Sequence, residues 1–405
     1  MTEQSAQHGL ASAEKTELKL GYVPLTDSAP LVIAQELGYF AEYGLDVMLE
    51  RQGSWANIRD KIAVGYLDAA QMLAPMLLTT TLGLGGIRTP LMTGLCLSSN
   101  GNAITLNNEL AEQIADTPSD GVQEHAFASD MDSAKRAAAR LAERVKSGLK
   151  LTLATVHPFS THSLLLRVWL RAGGIDPERD LRIIVLPPGQ MVDSLSRGII
   201  DGYCVGEPWN TRATQFGIGA IVATGYQVWN NAPEKALGVT QAWHAKHPAT
   251  HLRLRLALMK AAAWLDEPEN RSNAARILAH ADYLNLPEKE LLPSLTGEIC
   301  FSRKQPPTKV DVFHQFSNYH TGFPWRSQAA MILEHVEHQI GKDISAERKQ
   351  SLIQECYQPH LYREAARELG WSSPDQDIKQ ENSHPTPWKT DQGLHLGADL
   401  VLGRG

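Results

Sequence analysis

DSLSRGIIDGYCVGEPWN, residues 193–210, has a shorter echo at residues 60–76, DKIAVGYLDAAQMLAPM. Four residues align at one offset: Asp60 with Asp193, Gly65 with Gly198, Asp68 with Asp201, and Pro75 with Pro208 (208 − 75 = 133). Each copy reads as a helix end, a Gly that caps it, a polar turn, a buried apolar strand, and a loop ending in Pro at a helix start. A second match, LKL at 18–20 and again at 149–151, has an offset of 131 and so agrees to within two residues. The repeat predicts two similar α/β lobes, with ligand bound where the ends of the repeated strands face each other.

Working outward, ELKLGYVPL alternates and then runs apolar, as a strand does, and TDSAP opens a helix. LDVMLERQ, ANIRDKIAVG and LDAAQML continue a β-α-β-α-β order, which the second half restarts at residue 149. The expected organisation is a disordered N-terminus at 1–16, the first part of lobe I at 17–102, and lobe II at 103–228. A return to lobe I with a helical block occupies 229–370, including KVDVFHQFSNYH as a helix, and an extended, mostly unpacked tail occupies 371–405.

At 405 residues the chain exceeds one ordinary core, and 43% hydrophobic with 20% charged residues is a globular composition. No apolar run is long enough to span a bilayer. The net charge of −7 argues against a broad nucleic-acid surface. Cys96, Cys204, Cys300 and Cys356 lack the CxxC spacing of a zinc site and read as reduced thiols. The polar start shows no apolar leader segment, so a cytoplasmic protein is expected.

The loops beyond the carboxyl ends of the strands contain Trp55, Gln71, Asn102, His162, Gly206, Glu207 and Trp209, with Lys235 shortly after them. One Lys, His, amides and indoles with a single acid form a donor-rich set suited to a small anion. Each residue also has a plain structural role open to it. Trp55 and Trp209 serve as packing residues, His162 as a water-facing residue at a helix start, and Lys235 as a loop lysine. Glu207 pairs with Lys235 or His162, or holds a cation. Gly83 to Gly86 lack the GxGxxG spacing, and no GxSxG, HExxH or P-loop pattern occurs. His244, His247 and His251 have no Cys or carboxylate to complete a metal site, and no nucleophile stands beside a base. Neither a cofactor nor an enzymatic activity is expected.

LGYVPLTDSAPLVIAQELGYF, GLDVMLERQGSWANIRDKI, GNAIT, STHSLLLRVWLRAGGI, DGYCVGEPWN and PEKALGVTQAW resemble the nitrate/nitrite and bicarbonate branch of ABC-transporter solute-binding proteins, over residues 17–340. The resemblance implies an α/β, two-lobed type II periplasmic-binding-protein fold, a Venus flytrap, here with a C-terminal helical extension. It also implies an anion held by Trp55, Asn102, His162 and Lys235, with Gly206 and Glu207 close by; the amide is Asn where transport members have Gln. Without an export signal at its start, the chain is similar to the cytoplasmic nitrate/nitrite sensors that sequester an RNA-binding ANTAR-type antiterminator and release it when anion binds. The alternatives are a transport binding protein for nitrate/nitrite or bicarbonate, and a thiamine-pyrimidine synthase-like enzyme on the same fold.

Overall fold

The alternating ELKLGY forms β1 (Glu17–Tyr22), which buries Leu18, Leu20 and Tyr22. The structure, a computed structural model, describes residues 9–115 and 130–404. β1 lies parallel to β2 (Asp46–Arg51) on one side and β3 (Ala69–Leu73) on the other, with helices in the connections. After β4 (Leu91–Met92) and β5 (Cys96–Asn100) the chain crosses at Gly101 into β6 (Asn102–Asn107). β6 belongs to a second sheet with β7 (Thr152–Thr155), β8 (Arg182–Val185), β9 (Gly202–Gly206) and β10 (Gly219–Thr224), ordered β10-β6-β9-β7-β8. Residues 229–232 lead back to β11 (Pro233–Thr240), which inserts antiparallel between β3 and β5 of the first sheet. The molecule is a two-lobed α/β structure.

The repeat is visible in register and in hydrogen bonds. Leu20 pairs with Ala69, and Leu153 with Gly202 (153 − 20 = 133; 202 − 69 = 133). Asp68 accepts from the Lys19 amide at 2.9 Å, and Asp201 accepts from the Thr152 amide at 2.8 Å. In both copies the acid accepts a backbone N–H of the strand beside it, from Lys19 within β1 and from Thr152 at the start of β7. Gly65 and Gly198, at φ +73° and +66°, end their helices in the left-handed conformation that side chains disfavour.

The two crossings sit side by side. Asn100 and Asn231 both adopt left-handed conformations (φ 61° and 54°), and the Asn100 amide donates to Asn231 Oδ1 at 3.2 Å. Asn tolerates this region better than other side chains, so the crossings turn sharply at low cost.

Three expectations are corrected. PEKALGVT belongs to strand β11 and not to the helical block. KVDVFHQFSNYH forms no α-helix: Val310, Phe313 and Phe316 are spaced for one, but His314 and Gln315 pair with β5, and Asp266 accepts the amides of Phe316, Ser317 and Asn318. The end of the tail is packed, with Leu396, Ala398, Asp399 and Val401 buried and the Leu402 amide bonded to Val228 O at 2.8 Å, whereas residues 371–395 are almost all exposed or half-buried. Its apolar residues find a surface on the return crossing that local composition does not reveal. At the other end, residues 9–16 also pack: the Glu14 carboxylate accepts the Ala249 and Thr250 amides, and Lys15 pairs with Asp68. Residues 1–8 lie outside the described residues. Among those described, no helix is long and apolar enough to cross a membrane.

Candidate functional site

Strand ends from both lobes converge where the sheets face each other. From lobe I come Asp27, in the turn Thr26–Ser28 after β1; Trp55, first residue of the helix Trp55–Ala63 and capped by Ser54; Gln71 on β3; and Glu234 and Lys235 on β11. From lobe II come Asn102 on β6, His162 at the start of the helix Thr161–Ala172, and Gly206 and Glu207 at the end of β9. The lobes touch directly, since the Thr26 amide donates to Glu207 O at 2.9 Å and Thr161 Oγ1 to Pro233 O at 2.9 Å.

Lys235 is the centre of the cluster. Its Nζ lies 2.7 Å from Asp27 Oδ2, 2.5 Å from Glu234 Oε1 and 5.1 Å from the centre of the Trp55 ring, and the side chain is fully buried. Gln71 holds Asp27, donating to Oδ1 at 2.6 Å while its own oxygen accepts the Val23 amide. Asn102 holds Glu234, donating to Oε2 at 2.8 Å. His162 Nε2 approaches Glu234 Oε1 to 3.2 Å without hydrogen-bond alignment. Consecutive strand residues ordinarily point to opposite faces, yet Glu234 and Lys235 meet. The register of β11 against β5 shifts between Pro233 and Lys235 and again before Ala236, and this bulge turns both side chains inward.

Burial dictates the protonation states. It outweighs Lys235 in raising Asp27, and it raises Glu234 to about 7 against the pull of Lys235. Glu207 is raised to about 7 by burial, the Thr211 amide pulling the other way. Burial alone would lower Lys235, but Asp27 and Glu234 more than offset it and the ammonium stays charged. Burial, with Lys235 beside it, holds His162 well below 6.5, so its imidazole is neutral.

Several buried polar atoms here have no hydrogen-bond partner: Trp55 Nε1, both nitrogens of His162, Ser98 Oγ and Glu207 Oε1. Ser98 lies opposite Lys235 across β5 and β11. Unpaired buried polar atoms are rare in folded proteins, and those of Trp55, His162 and Ser98 around one lysine mark a place built to meet a polar ligand. Gly206 lines it closely, because a Cβ there would stand 3.2 Å from Asp27 Oδ2 and 3.4 Å from His162 Nε2.

The structure therefore brings together Trp55, Gln71, Asn102, His162, Gly206 and Lys235, but in different roles from one another. Gln71 and Asn102 engage carboxylates. Glu207 ion-pairs with neither Lys235 nor His162 among the described residues; its Oε2 accepts the Thr211 amide at 3.0 Å at the start of its own helix. Trp209 turns into lobe II, toward Gly189 and the Arg212 guanidinium. The expectation of a single acid is corrected, since Asp27 and Glu234 are acids in contact with Lys235. Asp27 sits in a segment that reads as a helix-opening turn, and Glu234 is hidden by the strand alternation that the bulge breaks. Of His244, His247 and His251, His251 Nδ1 lies 3.0 Å from His244 Nδ1 and His247 Nδ1 lies 3.1 Å from Trp243 O, and no metal-binding group forms among the described residues.

Two α/β lobes joined by paired crossings, with a buried charged cluster between them, define a two-lobed, clamp-like architecture. The profile of the NMT1-like family matches residues 11–279, and the chain belongs to that family. It is 32% identical to the nitrate/nitrite binding protein NrtA of Synechococcus elongatus, covering 94% of this chain and 84% of that one. It is 38% identical to the nitrate import ATP-binding protein NrtC of Synechocystis over 88% of this chain, but spans only 51% of that relative. Other relatives are named as bicarbonate transport and bicarbonate-binding proteins. The crystal structure of the periplasmic nitrate-binding protein NrtA from Synechocystis superposes with a TM-score of 0.81 at 28% identity, covering 96% of this chain and 97% of that one. The two-lobed periplasmic-binding-protein fold follows.

Proposed function

We propose that this protein binds a small oxyanion of the nitrate/nitrite class between its lobes, as the solute-binding proteins of ABC importers do. The observation that carries the reading is Lys235, a buried ammonium ringed by the unpaired donors of Trp55 and His162. Nitrate accepts hydrogen bonds and donates none, so an ammonium, an indole N–H and an imidazole N–H suit it. Bicarbonate is the competing anion, because its O–H needs an acceptor and Glu207 Oε1 is one without a partner. Calorimetric titration with nitrate, nitrite and bicarbonate separates them. Lys235→Ala is expected to weaken nitrate binding by about 100-fold or more while melting stays cooperative, since it removes the charge that faces the anion. Unchanged affinity would overturn the site.

A finer reading is a cytoplasmic sensor that holds an RNA-binding ANTAR-type regulator and releases it when anion closes the clamp. Its support is the resemblance of the sequence motifs; the relatives above carry the names of import and binding proteins, which favours the transport reading. Linkage requires the regulator to weaken anion binding by the same factor as anion weakens regulator binding. Pull-downs from the native cell with and without nitrate decide it: an RNA-binding regulator recovered only without nitrate favours sensing, and its absence favours transport.

A further inference from the structure

We propose that the cleft takes up its anion together with one proton, and that the Glu234 carboxyl carries it. The inference rests on the anion-binding reading above and adds the co-ligand. The geometry sets the charge balance. Lys235, fully buried, already contacts two carboxylates, Asp27 at 2.7 Å and Glu234 at 2.5 Å. An arriving anion needs the ammonium, and a third negative group in a water-excluded cluster with one cation has no counter-charge. His162 does not supply one, being neutral beside Lys235.

Which carboxyl takes the proton follows from what faces each. Asp27 has Oδ1 held by the Gln71 amide and Oδ2 by Lys235, and both contacts favour its charged form. Glu234 Oε1 depends on Lys235, the group the anion claims, while Oε2 keeps the Asn102 amide. Facing Glu234 are Lys235 on its own strand, Asp27 from the turn after β1, His162 from the helix Thr161–Ala172 and the Cys204 thiol from β9; His314, in the short strand beside β5, is neutral and feels Lys235. Lys235 favours the carboxylate, as does the Asn102 amide on Oε2, but burial outweighs both. The ordinary Glu value of 4.5 is raised to about 7 even before an anion adds its field. In the step, hydronium or a buffer acid gives its proton to Glu234 Oε1: the donor's bond to hydrogen breaks as the carboxyl O–H forms, and water or the buffer's conjugate base is left in solvent. The acid then turns from acceptor to donor, and a cluster with too many carboxylates becomes a set that suits nitrate.

The linkage has a definite sign. Above about pH 7 the free protein holds Glu234 ionised and the complex holds it protonated, so the fall in affinity approaches about tenfold per pH unit; below about pH 7 the proton is already present and affinity levels off. Nitrate does not titrate in this range, so any proton taken up resides on the protein. The test is calorimetry of the full chain with nitrate from about pH 6 to about pH 8, in two phosphate-free buffers of small and large ionisation heat. The expected result is about one proton taken up per nitrate at about pH 8, with affinity about fivefold weaker than at about pH 7. Glu234→Gln, which mimics the protonated acid, is expected to bind with a flat pH profile and without proton uptake, at least as tightly as the wild type at about pH 8. Flat wild-type affinity with no buffer-dependent heat overturns the proposal, and a wild-type pH slope in Glu234→Gln overturns the assignment to Glu234. Should the variant not fold, the wild-type proton count alone decides. A protein that gives no heat with nitrate, nitrite or bicarbonate at any pH instead defeats the binding reading, and this inference falls with it.

Discussion

Gly206 sits between the lobes where a Cβ would stand 3.2 Å from Asp27 Oδ2 and 3.4 Å from His162 Nε2, so its missing side chain lets those groups approach. Gly206→Ala is expected to leave melting nearly unchanged, because no left-handed backbone is required there, and to weaken nitrate binding about tenfold, roughly 1.4 kcal/mol, by pushing the facing groups aside. Calorimetry beside a thermal melt checks it; an unaltered affinity would place the anion elsewhere. The residues at this scale were unequally legible. Lys235, Trp55 and His162 stand in motifs long enough to carry a resemblance. Glu234 was invisible beside Lys235, because alternation assigns neighbours to opposite faces and only the bulge in β11 brings both inward. Asp27 was masked by the plausible turn chemistry of TDSAP.

At the scale of elements, Asp68 and Asp201 anchor equivalent strands with unequal sets of partners. Asp201 takes the Thr152 amide, whereas Asp68 takes the Lys19 amide, the Lys15 ammonium at 2.6 Å and the Trp243 indole at 3.0 Å. Asp201→Ala is expected to cost about 1–3 kcal/mol, the penalty for orphaning a donor, and Asp68→Ala more, because three donors lose their acceptor. Urea unfolding measures both, and an equal loss would mean that the extra partners of Asp68 contribute nothing. The strands and capping glycines around these acids were readable because each is specified within a few residues. KVDVFHQFSNYH was not, because its apolar spacing imitates a helix while β5 and Asp266 claim its backbone.

For the whole molecule, buried titratable groups set the pH at which the fold is most stable. Burial holds His157, His162, His251, His314 and His335 below 6.5. The unfolded chain binds protons that these imidazoles refuse, so their contribution is complete above about pH 6.5 and lost as pH falls. Glu207 and Glu234, raised to about 7, act oppositely: their contribution is present below the unfolded value of 4.5 and lost as pH rises through about 7, and Asp27 shares their direction. The histidines outnumber the acids, so stability climbs toward about pH 6.5 and declines slightly beyond it. Thermal melting without anion should peak near there, and a melting point still climbing through about pH 7.5 would contradict these protonation states.

Sequence alone determined the two lobes and the place where they meet, because the repeat, its capping glycines and its strand patterns are local features that survive without knowledge of the partner lobe. Only the tertiary structure decided the charge of the meeting place. Asp27, His162, Glu234 and Lys235 come from separate segments, and it is their joint removal from water, with a bulge aiming two neighbours inward, that sets one ammonium between two carboxylates. Desolvation depends on everything packed around a group, and no stretch of chain records that by itself.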